Sequence, residues 1–182
     1  MTTTEDPSTT RREETRSRRF DPSAIPLKDV HRIPCSAPSK ILFDCVRRLG
    51  GETGWHGTDA LWRFRGAIDR LLGGVGMRKG RRSPVDLRLG DPVDFWRVER
   101  TGPGRLLLRA EMRNPGTAWL EFLVYPDGDR SELRLAVYFR PIPFWGQLYY
   151  FASYPAHWLV FQRMARGIVR AAERRWGRGT TG

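Results

Sequence analysis

Between residues 92 and 139 the chain alternates apolar and polar side chains four times over, in PVDFWRVERT, GRLLLRAEM, TAWLEFLVY and SELRLAVYF. A period of two over such short segments is the pattern of half-buried strands. Gly102-Pro103, Asn114-Pro115-Gly116 and Pro126-Asp127-Gly128 separate the segments with residues that turn a chain. The pattern predicts an antiparallel meander. If its second hairpin is symmetric about Pro115, Arg109 lies opposite Glu121 and Glu111 opposite Trp119. Alternation then gives one apolar face, from Val93, Phe95, Leu106, Leu108, Ala110 and Met112 through Ala118, Leu120, Phe122 and Val124 to Leu133, Leu135, Val137 and Phe139. Arg97 and Glu99 are the charges on that face. The other face carries Asp94, Trp96, Trp119, Tyr138 and a solvated ladder Arg109–Glu121–Arg134.

A helix is expected after this sheet, from about Pro155 to Arg175. Trp158, Phe161, Ala165, Ile168 and Ala172 recur there at three- and four-residue steps. Its apolar stripe has the apolar sheet face to pack on. Before the sheet, VHRIP at 30–34 reads as a short strand. Ser36 is placed as an N-cap with Pro38 in the first turn, and Ile41, Leu42, Cys45, Val46 and Leu49 follow at helical spacing up to Gly50-Gly51. A second helix over 58–72 has a stripe of Leu61, Phe64, Ile68, Leu71 and Leu72. DLRL at 86–89 reads as a short strand. Residues 1–24 have almost no apolar content and are expected to be a disordered tail. Residues 25–177 form one domain in this reading, and 178–182 a flexible end.

The formal net charge is +12, which ordinarily points to nucleic acid or an anionic membrane. Yet only Lys28, Lys40 and Lys79 are lysines, and the arginines are scattered. A coding bias toward arginine accounts for that better than a phosphate-reading surface, so no nucleic acid is favoured. Cys35 and Cys45 are too few for a disulfide framework and read as buried thiols of a reducing compartment. With no apolar run at the N-terminus, the expected location is cytoplasmic. From Pro141 to Gln162 no residue carries a formal charge apart from a protonated His157. Prolines and polar residues interrupt this run, so no transmembrane segment is expected. Its aromatics suit a packed interior or a peripheral membrane contact.

No motif announces a reaction, and nothing calls for a cofactor or a metal. The glycines from Gly73 to Gly80 follow a helix and precede a strand, the reverse of a phosphate loop. Their neighbours Arg78, Lys79, Arg81 and Arg82 are the best anion-contact candidates. His157 reads as a helix-start histidine bonded locally, and His31, His56 and His157 do not have metal-ligand spacing. Glu111 and Glu121 read as ion-pair partners of arginine on their own face. Arg97 either points into a cavity, to anchor an acidic or carbonyl group, or reaches solvent from a frayed strand end.

The order strand, two helices, antiparallel strands, long helix is similar to the START-like helix-grip superfamily, which includes polyketide cyclases, START lipid-transfer domains and the birch-pollen allergen. More closely, LWRFRGAIDRLLGGVGMRKGRR (61–82), LGDPVDFWRVE (89–99), LLLRAEMRNPGTAWLEF (106–122) and YPAHWLVFQRMARGI (154–168) resemble the bacterial family called domain of unknown function 2867. The resemblance implies an α+β helix-grip fold, a curved antiparallel sheet around a long C-terminal helix with a cavity between them. It implies no particular activity.

The sequence thus points to a module that binds a small hydrophobic or amphipathic molecule. Phe95, Arg97, Leu108, Ala110, Leu120, Phe122, Leu135, Val137 and Phe139 would line the sheet side, and Trp158, Phe161, Ala165 and Ile168 the helix side. Arg97 would orient the ligand. A cyclase or aromatase-type enzyme using the same cavity is the alternative, and a basic peripheral membrane or nucleic-acid protein is another. Whether there is turnover, and the oligomeric state, stay open.

Overall fold

A computed structural model describes residues 20–71, 73, 74, 76, 81–112 and 114–179. Along the chain run β1 (Leu27–Cys35), α1 (Ser39–Arg47), α2 (Asp59–Leu71), β2 (Pro92–Val93), β3 (Trp96–Gly102), β4 (Arg105–Ala110), β5 (Gly116–Asp127), β6 (Arg130–Pro141) and α3 (Trp145–Gly179). The strands make one antiparallel sheet in the order β1-β6-β5-β4-β3-β2. The fold is α+β, with the sheet closed against the long C-terminal helix, as expected from the element order.

The first segment of the meander is not one strand. Asp94 takes a left-handed φ of 54°, held there because its carboxylate accepts the Trp55 indole N–H at 2.7 Å and the Gly51 amide at 3.3 Å. β2 therefore folds back on β3, with Val93 opposite Trp96. A one-residue break flips every later side chain to the other face. Trp96 and Val98 face the core with Ala110 and Leu108, while Arg97 lies opposite Arg109 on the outer face. Glu99 is also outside, where it accepts the Trp119 indole N–H at 2.6 Å.

The second hairpin is displaced by two residues from the symmetric pairing: Arg109 opposes Trp119, and Leu107 opposes Glu121. An even displacement preserves the faces but changes the partners. In place of the expected ladder, Glu121 is buried, 2.6 Å from Arg105, and accepts the Tyr138 hydroxyl at 2.9 Å. Burial first, then the hydrogen bond to Glu121 and its negative charge, push the Tyr138 phenol well above its usual range. Arg134 instead lies over the Tyr125 ring at 4.6 Å. The outer face holds a small second core of Leu107, Trp119, Ala136 and Tyr138 capped by Phe20 and Ile25. Phe20 sits 5.7 Å from Trp119 and edge-on to Tyr138 at 5.1 Å. Phe20, inside the expected tail, is thus packed on the sheet; residues 1–19 and 180–182 lie outside the described residues.

The helices depart from expectation at their ends and faces. Pro38, not Ser36, occupies the N-cap of α1, and no side chain caps it. Ser36 donates its hydroxyl and amide to Glu173 at 2.9 and 3.1 Å, tying the end of β1 to α3. DLRL is not a strand; Arg88 and Gly90 belong to a turn bonded to Asp91 and to Val98. In α2 the inward residues are Trp62, Gly66 and Asp69. The expected stripe has helical spacing but faces solvent, with Leu61, Phe64, Ile68 and Leu71 exposed by 49%, 68%, 36% and 87%; Leu72 lies outside the described residues. Trp62 claims the inward side because it joins Trp55, Phe95, Trp96 and Phe161, whose ring centroids lie 5.2–6.2 Å from its own.

α3 starts ten residues before the expected Pro155, which sits inside it. Proline cannot bond back to the carbonyl four residues earlier, yet the helix continues through it. Its C-terminal part packs Phe161, Met164, Ala165, Ile168, Val169 and Ala172 on Leu106, Leu108, Leu120, Phe122, Leu133 and Leu135, with Leu42, Val46 and Leu49 of α1 alongside. Each fully buried leucine contributes about 2 kcal/mol. Two glycines allow close approach: at Gly167 a methyl would meet the His56 carbonyl, and at Gly146 the Pro115 carbonyl.

Candidate functional site

The core is filled under the C-terminal half of α3, and a hollow opens under its N-terminal half. The cavity has a volume of about 70 Å³ and is open to solvent on one side. Its floor crosses the sheet: Asp29 of β1, Val137 and Phe139 of β6, Ala118 of β5, Met112 and Asn114 between β4 and β5, and Trp96 of β3. From β1 to β3 is four inter-strand steps, roughly 19 Å at the usual spacing. Its roof is Tyr149, Tyr150, Tyr154, His157 and Phe161 of α3, and α2 closes one end with Trp62 and Arg65.

Aromatic rings dominate the walls. Phe139 stacks on Tyr150 at 5.8 Å, and His157 stacks on Phe161 at 6.0 Å. Charges lie toward opposite ends. At the α2 end Arg65 donates to Asn114 Oδ1 at 2.7 Å and lies 3.8 Å from the buried Asp69. At the β1 end Asp29 is 3.1 Å from His31 Nε2, and His31 Nδ1 is hydrogen-bonded to Gln162 Oε1 at 2.8 Å. Burial holds the His157 imidazole below its usual pKa, helped by the positive Arg65 and opposed by a hydrogen bond to the Ser153 backbone. The ring is therefore neutral at pH 7. Burial likewise raises the Tyr150 phenol, with Tyr154 and Asp29 adding to it. The indole N–H groups of Trp62 and Trp96, both beside the cavity, have no hydrogen-bond partner.

Of the ligand-lining residues expected from sequence, Val137, Phe139 and Phe161 are on this cavity. Phe95, Leu108, Ala110, Leu120, Phe122, Leu135, Ala165 and Ile168 are packed in the core. Trp158 is 45% exposed and does not line the cavity; its ring lies 6.2 Å from that of His31 on β1. Arg97 pairs with Glu111 at 2.5 Å and donates to the Gly90 carbonyl at 2.7 Å, on the outer face. Its expected cavity position rested on an unbroken first strand, and the turn at Asp94 removes that premise. Among the anion-contact candidates, Arg81 donates to the Leu49 and Arg47 carbonyls at 2.7 and 2.8 Å, closing the end of α1. Arg82 pairs with Asp91 at 2.9 Å and Asp86 at 3.4 Å. Arg78 and Lys79 lie outside the described residues.

Trp62, Arg65, Asn114, Tyr150 and Tyr154 were not among the expected lining residues, and His157, read as a locally bonded helix-start histidine, also lies on the cavity. Four roof residues did carry a signal: Tyr150, Tyr154, His157 and Phe161 recur at i, i+4, i+7 and i+11. The proline among them concealed it. Among the described residues no group of three or more side chains is placed to hold a metal ion, and no helix is long and apolar enough to cross a membrane.

The sequence profile described as protein of unknown function, DUF2867, matches residues 23–164. The chain belongs to the DUF2867 family. Among solved structures, this DUF2867 chain is similar to a protein from Chromobacterium violaceum (14% identity, 82% of this chain and 99% of that one, TM-score 0.47). It is similar also to the Zhui aromatase/cyclase from Streptomyces sp. R1128 (15%, 82% and 94%, 0.46) and to a START superfamily protein from Mycobacterium smegmatis (11%, 83% and 97%, 0.43). None of these scores reaches 0.5, and no function is transferred to the DUF2867 chain from them. No curated protein matches the chain.

Proposed function

We propose that the chain binds a small amphipathic molecule, with an aromatic or otherwise flat apolar body, in the cavity between the sheet and the N-terminal half of α3. The observation that carries this reading is the cavity's composition. A hollow walled by aromatic rings, with a guanidinium and an amide at one end and a carboxylate at the other, suits an apolar body with polar ends.

Native mass spectrometry of the purified protein tests this. A co-purified small molecule, or stabilisation by members of a panel of aromatic acids and other lipophilic metabolites, is the expected result. No adduct and no stabilisation by any member of the panel contradicts it. Turnover in the same cavity is a second reading, favoured by one observation: His157 is a half-buried imidazole in the roof whose pKa is held below the usual value, suited to accept a proton. Disappearance of a bound compound with a His157-dependent pH profile would establish it.

A further inference from the structure

The two helices that supply walls to the cavity also turn apolar side chains to solvent, and neither sets an exposed acid beside them. On α2 the exposed stripe is Leu61, Phe64, Ile68 and Leu71. The exposed residues beside it include Arg63 and Arg70. The acids of α2 are turned away from this face: Asp69 is fully buried, and Asp59 accepts the Trp55 amide. On α3 the first turns carry Trp145, Leu148 and Phe151, exposed by 65%, 54% and 66%, with Phe144 just before them at 68%. No acidic residue lies anywhere between Glu132 and Glu173. An exposed apolar stripe free of carboxylates, flanked on α2 by Arg63 and Arg70 and on α3 uncharged, is the composition of a helix that lies in a lipid headgroup layer. Aromatic side chains favour that layer as well.

We propose that the exposed apolar stripes of α2 and of the start of α3 dock on an anionic lipid surface. Charge decides between occupants. A second copy of a chain with net charge +12 would bring like charge against like, whereas phosphate headgroups bring the opposite sign. The inference concerns the surface and stands apart from what the cavity holds.

Flotation of the full chain with phosphatidylcholine vesicles, with and without phosphatidylglycerol, is the test. Binding to the anionic vesicles, at least about tenfold stronger than to neutral ones and weakened by salt, is expected. A Phe64→Ser/Leu71→Ser variant and a Trp145→Ser/Phe151→Ser variant should each lose about tenfold in binding, with melting temperature unchanged because these side chains are exposed. Arg63→Glu should weaken binding further at low salt than at high salt. Ala118→Phe, which fills the cavity floor, should bind vesicles as the wild type does. No partition onto anionic vesicles at low salt overturns the proposal. So does a concentration-dependent dimer, seen by sedimentation, that the serine variants abolish.

Discussion

The two halves of α3 are one helix under two sets of constraints. From Phe161 onward, six side chains on one face are buried against the sheet, and arginines and Glu173 occupy the outside. From Trp145 to Trp158 the inward residues roof a hollow, and large apolar side chains point outward. The C-terminal half has the distribution that stabilises a fold. The N-terminal half gives up apolar burial and leaves unfilled space, which a helix optimised for stability alone would not do. The difference gives one half the packing that stabilises the fold and leaves to the other the hollow on which the proposed binding rests.

The sharpest way to break that division is to truncate each half. Ile168→Ala should cost about 2–5 kcal/mol in denaturant unfolding, because Ile168 is fully buried in the packed half. Trp145→Ser should cost under about 0.5 kcal/mol. Equal losses at the two positions would end the division. A smaller effect is expected from Gly167→Ala. The added methyl would meet the His56 carbonyl, and the loop carrying Trp55 must shift, for about 1–3 kcal/mol.

A pH titration should show a smaller effect still. Burial lowers the folded-state pKa of both His157 and His56. The unfolded chain then binds more protons below about pH 6.5. Stability is therefore full above that pH and falls as the solution is acidified through it, by up to about 1.4 kcal/mol per pH unit for each histidine. His157→Gln should remove its share of this slope. An unchanged slope would show that the α3 roof is open to water.

How much of this was legible in sequence follows from local physics. Period-two alternation fixed the faces of β4, β5 and β6, because a buried face tolerates no slip of one residue. It failed at Asp94, where one carboxylate binds a tryptophan 39 residues away and turns the chain. Such a long-range bond leaves no local periodicity. The spacing of Leu61, Phe64, Ile68 and Leu71 showed a helix, but not its direction. That was settled by Trp62, whose ring is larger and finds four aromatic partners. The cavity was anticipated between sheet and helix and is found there, but under the half of α3 that Pro155 obscured. The arginine on its wall is Arg65 of α2, while the turn at Asp94 leaves Arg97 of β3 paired with Glu111 on the outer face.

The tryptophan indole N–H signals offer the most direct test of a binding cavity, since they separate its walls from the exposed surface. Titration with naphthoate, a flat aromatic acid, should shift the Trp62 and Trp96 signals saturably in the wild type and leave them unmoved in Ala118→Phe. Shifts confined to the exposed Trp145 and Trp158, or no saturable shift at all, would contradict the account.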